Sequence, residues 1–549
     1  MGNHIYTLQN LFLILFLATF LSCNQTGTKE NKQTADGSEK LGEVTFEVTG
    51  AEEAQPSFKK GLLLLHSFEY DDARKAFLET QDIDSTFAMA YWGEAMSYNH
   101  SLWKKQELEE AKAALEKLAP TTEERQALLQ TEIEKDFFKG IEILFGEGTK
   151  YERDIAYQKF MNSLRDKYPD QLEVSAFYAI SLLGSARNGR DEELYEKSAT
   201  IAKGILEENP NHPGALHYLI HSFDDPKHAH LAKDAADKYS VIAPDAAHAL
   251  HMPSHIYVAL GLWNEVVNSN IASWNASVKK KLSKDAKNGS YHALNWLQYG
   301  LLQRKENDLA ARLVDDMISY KEENPSKSAR MYLVAMKAAQ MIETNTWSGE
   351  LADLEIDIED LPVAKKATYD FLEGMKAFHS KDEKSLKKII SNISKYKYVA
   401  TLDIGESGFS MCGSQGFGNS PANQLDIDIV SVLEKELEAA LLKMQGKTDA
   451  SLIKLKEAVV LDETLNYSFG PPRIVKPVQE AYAEALLEQN KLGEAHVMFQ
   501  AALKRQPNRL LSIQGLKKTA EKLGKVAEVK KMDALLKEHL EVVERGEIL

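Results

Sequence analysis

Apolar residues recur with the period of an α-helix along most of the chain. Stretches of roughly 12–16 residues carry apolar side chains at positions i, i+3, i+4 and i+7, and short polar breaks separate them. No segment stands out with the strict alternation that is typical of a half-buried strand. The pattern therefore predicts an all-α protein.

Short motifs recur along these helical stretches at a step of 34 residues. Pro210 and Pro244 are separated by that step, and each follows a helical stretch. The spacing A-x₃-F with a later proline is carried by Ala495, Phe499, Ala502 and Pro507, and a related pattern by Gly61, Leu64, Ala73 and Phe77. Alanine lets two helices approach closely, phenylalanine fills the gap to the next helix, and proline stops the second helix.

This pattern resembles the tetratricopeptide repeat (TPR) family over most of residues 51–546. The resemblance implies a right-handed superhelix, or solenoid, of antiparallel helix pairs. It also implies that the first helix of each pair lines a concave groove, where members of the family mostly bind protein partners.

The N-terminus has the pattern of a secretion signal. Residues 11–21 are apolar, which is too short for a bilayer span of about 20 residues but suits a signal peptide. Ser22 and Cys23 follow and resemble the lipobox of bacterial lipoproteins, which implies a signal peptide over 1–22, a lipid on Cys23 and a location on a membrane of the bacterial cell envelope, periplasmic or surface-exposed. Plain secretion and an uncleaved anchor remain as alternatives.

The rest of the chain divides by composition. Residues 23–50 are mostly polar and predict a flexible tether. An N-terminal TPR-like array is expected over 51–404 and a C-terminal one over 423–549. Between them, residues 405–422 are rich in glycine and serine and predict a loop, while 469–477 hold three prolines and predict a rigid connector.

Composition excludes several classes of protein. The 549 residues are 44% hydrophobic and 27% charged, which is ordinary for a globular chain. A net charge of −16 argues against a nucleic-acid partner, because that partner requires a clustered positive field. Two cysteines exclude a disulfide framework, and dinucleotide, P-loop and hydrolase motifs are absent from the sequence.

Histidines are concentrated in one part of the chain. Eight of the 15 fall between His212 and His255. His217 and His221 form one pair four residues apart, His251 and His255 form another, and 34 residues separate the two pairs. Each pair would share a helix face, and adjacent repeats would place all four imidazoles on a common patch.

This patch suits a metal ion, because neutral imidazole is a common ligand for zinc and other divalent transition metals. The alternatives are hydrogen-bonding residues of the groove or the core, and acid–base or organic-ligand roles. The acidic residues closest in sequence are Asp224 and Asp225, with Glu69 beside His66. Pro253 either interrupts a helix between His251 and His255 or occupies the first turn of a helix that begins near Met252.

Other residues are expected in the concave groove that the TPR resemblance implies. His66 and His100 are also 34 residues apart, and His292 lies early in a further first helix. The predicted groove residues are His66, Trp92, His100, Tyr218, His292 and Trp296. His228 and His230 are expected in a solvated loop.

Two functions follow from these patterns. The first is a lipid-anchored scaffold whose groove binds a protein, a peptide or a small ligand, with no cofactor required. The alternative is a metal-binding protein or metalloenzyme that uses His217, His221, His251 and His255. The sequence offers no motif that assigns a catalytic residue.

Overall fold

The protein is almost entirely helical. The computed structural model describes residues 39–187, 189–282, 290–402, 404, 422–467, 469–541 and 545–548. Its α-helices are α1 Gln55–His66, α2 Tyr70–Ile83, α3 Ala88–Met96, α4 Leu108–Leu118, α5 Thr122–Leu128, α6 Glu132–Leu144, α7 Lys150–Lys167, α8 Leu172–Ser185, α9 Glu192–Glu208, α10 Pro213–Ser222, α11 Lys233–Ile242, α12 Ala247–His251, α13 Pro253–Leu260, α14 Trp263–Leu282, α15 Tyr291–Gln303, α16 Asn307–Glu323, α17 Lys327–Thr344, α18 Glu350–Asp353, α19 Val363–His379, α20 Glu383–Thr401, α21 Gln424–Met444, α22 Thr448–Glu463, α23 Val478–Glu488, α24 Leu492–Arg505, α25 Leu510–Lys522 and α26 Val526–Leu540. Two short strands, β1 Asn99–His100 and β2 Lys105–Gln106, pair antiparallel around a 3₁₀ turn.

Successive helices pack against one another, as the repeat pattern predicts. Contacts join α1 to α2, α8 to α9, α14 to α15, and α23 to α24, with similar pairs between them. Phe77 shows why the motif works, because its ring is fully buried against α3 at Gly93. A Cβ atom at Gly93 would lie 2.4 Å from that ring, so only glycine permits this contact. The described residues therefore form an all-α array of helix pairs.

Helix boundaries follow local chemistry. Thr121, Thr131 and Thr149 each begin a helix with a capping box, in which the threonine side chain and a glutamate three residues later satisfy free backbone N–H groups. Pro253 occupies the first position of α13, where its missing N–H is tolerated. His251 therefore ends α12, and α13 begins after it, which decides between the two interpretations of Pro253.

The predicted tether over 23–50 is wrong for its last part. Leu41 and Val44 are buried in the core. The Glu43 backbone N–H donates to the Asn211 carbonyl at 3.0 Å, and the Asn209 side-chain amide donates back to the Glu43 carbonyl at 2.9 Å. The apolar side chains in this otherwise polar stretch make it part of the folded unit. Residues 23–38 of the tether lie outside the described residues.

The C-terminal helices contact the middle of the chain. The Trp263 indole N–H donates to the Asn508 carbonyl at 2.8 Å, and His539 Nδ1 donates to the Gln303 carbonyl at 2.8 Å. Residues 40–549 form one compact unit. The two predicted arrays therefore share an interface, and α20 packs directly on α21 across the sequence position of the predicted loop.

Several predictions concern residues outside the described ones. The signal peptide, Cys23 and all of the 405–422 loop except Ala422 belong to this group. Among the described helices, none combines the length and the apolar character needed to span a membrane.

Candidate functional site

Six histidines meet where three consecutive helix pairs pack together. Helix α10 contributes two of them, α12 two, and α13 and α15 one each. We call this group the histidine centre, and its members are His217, His221, His248, His251, His255 and His292. Five are buried and His248 is half-buried. Ring centroids of His217 and His221 are 4.9 Å apart, those of His221 and His255 5.3 Å, and those of His251 and His255 5.2 Å. The four histidines that the sequence singled out therefore lie together.

The histidine centre divides into two sets of three. His217, His221 and His248 each offer a ligand atom within 4.8 Å of the others. The same holds for His251, His255 and His292. We call these the first and second triads. His221, Asp224 and His255 form a further such group, so Asp224 connects the two triads.

Two of the rings are oriented by neutral acceptors at Nδ1. His217 Nδ1 donates to the His66 carbonyl at 2.8 Å. His251 Nδ1 donates to Asn270 Oδ1 at 2.7 Å, and the Asn270 amide in turn donates to the Val266 carbonyl. Because a neutral imidazole carries one proton, these contacts leave a lone pair on Nε2.

A shared carboxylate and a hydroxyl orient three more rings. His221 Nδ1 and His255 Nδ1 both lie 3.3 Å from Asp224 Oδ2. His292 Nδ1 lies 3.3 Å from the Tyr332 hydroxyl. Metal-ligating histidines are typically held in this way, with the second ring nitrogen bonded to a carboxylate or carbonyl.

The other nitrogen of each ring has no partner. In the part of the chain that the structure describes, all six Nε2 atoms of the histidine centre are buried without a hydrogen bond. An unsatisfied buried polar atom costs about 1–3 kcal/mol, so six in one place require an explanation. Bound metal ions would explain these six atoms, because a metal ion accepts the lone pairs of Nε2 atoms.

Burial keeps these imidazoles neutral. Removal from water lowers the pKa of His221 to about 3, and it lowers the pKa of His217, His251 and His292 well below the ordinary value. Nearby imidazoles lower the pKa of His217 further. The neutral form is the one that binds a metal ion.

A second buried group of histidines lies beside the first, and its imidazoles contact a buried carboxylate. We call it the Glu173 cluster, and its members are His66, Glu173, His212 and Tyr218. His66 Nε2 donates to Glu173 Oε2 at 2.7 Å and its Nδ1 accepts from the Tyr218 hydroxyl at 2.8 Å. His212 Nδ1 accepts from the Ala215 backbone N–H at 3.2 Å, and its Nε2 makes an ionic contact of 3.2 Å with Glu173 Oε1.

The charge of the Glu173 cluster follows from these contacts. Burial alone would raise the pKa of Glu173, but the two adjacent imidazoles lower it to about 2. Burial lowers the pKa of His66 against the opposing effect of Glu173. The cluster is therefore an ionised carboxylate held by imidazole N–H groups, and it joins α1, α8 and α10.

The predicted groove residues are mostly interior. Trp92 packs edge-on against Phe137 and Phe177 and belongs to the core. His66 and Tyr218 are members of the buried Glu173 cluster, and His100 stacks on Tyr70 at 4.2 Å. These four side chains are buried, whereas the prediction placed them on the wall of a groove.

The other two predicted groove residues adjoin the histidine centre. His292 belongs to the second triad, and Trp296 stacks on His255 with a centroid distance of 4.7 Å. Both line a cavity. Gly470 has φ +86° and lies so close to Trp296 that a Cβ atom there would be 2.2 Å from the indole.

Sequence reasoning missed three residues of these groups. His248 lies three positions before His251, and that i,i+3 spacing is a signal that could have found it. Glu173 and His212 have no local signal, because they meet only through the packing of α8 on α10. Glu69 accepts from the His248 backbone N–H instead of joining His66. His228 is buried and lies 2.7 Å from Asp225, so its predicted solvation is wrong.

Comparison with known proteins finds solved structures of TPR-repeat proteins. No protein-family model and no curated protein matches the chain. It is similar to the solved Cut9–Hcn1 assembly of the APC/C, with 13% identity over 86% of this chain and 78% of that one and a TM-score of 0.31. Yeast Tom70 has 13% identity over 89% and 98%, with a TM-score of 0.31, and the TPR domain of P58(IPK) has 14% over 86% and 99%, with a TM-score of 0.21. At these scores the likeness carries no argument about function.

Proposed function

We propose that this protein binds two divalent transition-metal ions, one at each triad of the histidine centre. The observation that carries the proposal is that six histidines, which form two groups of three with ligand atoms within 4.8 Å of one another, each have a buried Nε2 atom without a partner among the described residues. The Nδ1 contacts of His217 and His251 orient these two rings and leave the lone pair at Nε2.

The ligand chemistry narrows the class of metal. Neutral imidazole suits zinc, copper, nickel and iron(II), whereas magnesium and calcium prefer oxygen ligands. Three imidazoles per ion leave one coordination position open, which is the arrangement of catalytic rather than structural zinc sites. Asp224, which lies between His221 and His255, places a carboxyl group close to both triads.

Zinc titration of the metal-free protein tests the proposal. Wild type is expected to bind two Zn²⁺ per chain in isothermal titration calorimetry, with the ratio checked by elemental analysis. His217→Leu/His221→Leu removes two ligands of the first triad, and His251→Leu/His292→Leu two of the second. Each double variant is expected to bind one ion.

The matched control is His230→Ala, because His230 is exposed and lies outside the histidine centre. It is expected to bind two ions. Circular dichroism establishes that each variant is folded. Absence of zinc, copper, nickel and iron binding in folded wild type would overturn the proposal, as would unchanged stoichiometry in both double variants.

A lipid on Cys23 and a location at the bacterial cell envelope are part of the same proposal. Their support is the apolar run over 11–21 followed by Ser22 and Cys23. Cys23→Ser is expected to move the protein from the membrane fraction to the soluble fraction, and the N-terminal mass of the mature wild type to show a diacylglyceryl group. An unmodified Cys23 would contradict this assignment.

Binding of a protein or peptide is the second candidate function. Its support is the A-x₃-F…P spacing near the C-terminus together with the consecutive packed helix pairs. If the protein is a scaffold that works without metal, a purified partner is expected to bind wild type and both double variants with equal affinity. An affinity that falls with metal content would assign partner binding to the metal centre.

A further inference from the structure

The hydrogen-bond acceptors at Nδ1 in the histidine centre differ in how many rings they contact. The His66 carbonyl accepts from His217 of the first triad, and Asn270 Oδ1 accepts from His251 of the second. Among the described residues, neither acceptor contacts a second ring of the histidine centre. Each of them therefore supports the ligands of one ion site.

Asp224 is different, because one of its oxygens contacts a ring in each triad. Asp224 Oδ2 lies 3.3 Å from Nδ1 of His221, which belongs to the first triad, and 3.3 Å from Nδ1 of His255, which belongs to the second. The centroids of these two rings are 5.3 Å apart. The Asp224 side chain is fully buried, so bulk water does not compete for its contacts. A single carboxyl oxygen therefore contacts ligands of both ion sites.

Contacts on either side of Asp224 fix its position. It lies in the segment that follows α10. Before it, the Ser222 carbonyl accepts from Arg190 Nη2 at 2.6 Å. After it, the Asp225 carboxyl makes ionic contacts of 2.9 Å with Arg190 and 2.7 Å with His228. The side chain of Asp225 thus holds the segment, whereas that of Asp224 faces the two triads.

An acceptor at Nδ1 matters for metal binding because it fixes the orientation of the ring and directs the lone pair of Nε2 at the ion. Loss of such a partner typically lowers metal affinity 10–100-fold. Loss of Asn270 should lower the affinity of the second triad alone. Loss of Asp224 should lower the affinity of both triads.

We propose that Asp224 is the positioning residue shared by the two ion sites, so that one carboxyl oxygen sets the metal affinity of both. This inference rests on the proposed metal function and deepens it. Asp224 acts through His221 and His255, whose Nε2 atoms are the ligands.

Two variants that each keep one triad separate the effects at the two sites. His251→Leu/His292→Leu retains the first triad, and we call it the first-triad protein. His217→Leu/His221→Leu retains the second triad, and we call it the second-triad protein. Asp224→Ala is expected to weaken Zn²⁺ binding at least about tenfold in each of them, as measured by isothermal titration calorimetry. Circular dichroism establishes folding, and Asp224→Leu, which fills the space, carries the same prediction if Asp224→Ala does not fold.

The matched control is Asn270→Ala. It is expected to weaken Zn²⁺ binding at least about tenfold in the second-triad protein and to stay within about twofold in the first-triad protein. Co²⁺ gives a second readout, because its visible spectrum reports on the geometry of its own ligands. Asp224→Ala should change that spectrum in both proteins, and Asn270→Ala only in the second-triad protein.

Asp224→Asn distinguishes the oxygen acceptor from a general effect on stability. Asparagine keeps one oxygen that can accept from both rings. It is expected to bind Zn²⁺ at least about threefold more tightly than Asp224→Ala in both proteins, since one neutral hydrogen bond accounts for such a difference. Equal affinities of Asp224→Asn and Asp224→Ala would overturn the inference.

Failure of this inference and failure of the proposed metal function give different results. If folded wild type and both single-triad proteins bind no zinc, copper, nickel or iron, the metal function is overturned. If each single-triad protein binds one ion and Asp224→Ala leaves the affinity of either unchanged, only the shared role of Asp224 is overturned. An unchanged Co²⁺ spectrum in Asp224→Ala, or an equal loss of affinity at both sites in Asn270→Ala, would overturn it as well.

Discussion

The Glu173 cluster and the histidine centre are both buried groups of imidazoles at helix α10, yet they differ in how their polar atoms are satisfied. In the Glu173 cluster, His66 uses both ring nitrogens and Glu173 has an imidazole at each oxygen. In the histidine centre every ring has a buried Nε2 atom that has no partner among the described residues. The first group contains a carboxylate in contact with both of its imidazoles, whereas we propose that the Nε2 atoms of the second group bind metal ions.

This difference shows that burial and spacing alone do not identify a metal site. Both groups supply three ligand atoms within 4.8 Å of one another. The two groups differ in their partners: both imidazoles of the Glu173 cluster contact a carboxylate through Nε2, whereas the Nε2 atoms of the histidine centre have no partner among the described residues. Four predictions test the comparison.

The largest expected effect comes from breaking the paired cluster. Glu173→Ala leaves the Nε2–H groups of His66 and His212 buried without an acceptor, and we expect the free energy of unfolding to fall by about 3–5 kcal/mol. Urea unfolding measures this loss. Glu116→Ala, at an exposed position of α4, is the control and is expected to leave stability unchanged. A loss as small as that of the control would show that Glu173 does not hold the cluster.

Metal should complete the histidine centre and leave the Glu173 cluster as it is. Free Zn²⁺ at 100 times its dissociation constant is expected to raise the free energy of unfolding by about 2.7 kcal/mol per site. In His217→Leu/His221→Leu the Zn²⁺-induced rise in the free energy of unfolding should be half that of wild type. In folded Glu173→Ala it should equal that of wild type. Thermal unfolding with and without Zn²⁺ is the measurement, and an equal rise in wild type and in both double variants would contradict the assignment.

Acid should destabilise the two groups in different pH ranges. In the metal-free protein the folded-state pKa of the buried imidazoles lies below the unfolded value of 6.5, so the unfolded chain binds more protons once the pH falls below that value. The free energy of unfolding should then fall by about 1.4 kcal/mol per pH unit for each imidazole, and for His221 the fall should continue to about pH 3. Glu173 stabilises the fold above its unfolded pKa of 4.5, and that contribution is lost as pH falls toward about 2.

Urea unfolding between pH 7.5 and 2 tests these ranges. His221→Leu should reduce the slope of the free energy of unfolding against pH below pH 6.5 by about 1.4 kcal/mol per pH unit, the contribution of one imidazole. A free energy of unfolding that does not change between pH 6.5 and 5 would show that the imidazoles are not held neutral.

The smallest effect should follow from removing one unpartnered imidazole. His248→Leu deletes a buried Nε2 atom that has no partner in the described structure and replaces the ring with an apolar side chain of similar size. We expect the metal-free protein to stay within about 1 kcal/mol of wild type. Urea unfolding of the metal-free variant is the measurement. A loss as large as that of Glu173→Ala would remove the distinction between the two groups.

Much of the fold follows from the sequence pattern. The helical period and the 34-residue step predict packed helix pairs, and Phe77 is buried as the motif requires. The segment around Leu41 and Val44 escapes prediction because its few apolar residues are surrounded by polar ones. Its contacts are with residues more than 160 positions away, which no local pattern contains.

The site is predictable only where its residues are close in sequence. The i,i+4 pairs identify His217, His221, His251 and His255, because residues at that spacing share a helix face. Glu173 and His212 lie far apart in sequence, so only the packing of α8 on α10 brings them together. Trp92 and His100 are buried and do not line a groove. TPR-like spacing predicts which helices are neighbours, but it does not predict how closely their side chains pack.

The most direct test of the central claim is X-ray absorption spectroscopy of the protein loaded with two equivalents of Zn²⁺. The account predicts three imidazole nitrogens around each ion at about 2.0–2.1 Å, with no sulfur ligand and one further light atom. The His217→Leu/His221→Leu variant should hold one ion with the same first shell. The account would be contradicted if zinc were bound mainly by oxygen. It would also be contradicted if both double variants still bound two ions per chain with the same imidazole coordination as wild type.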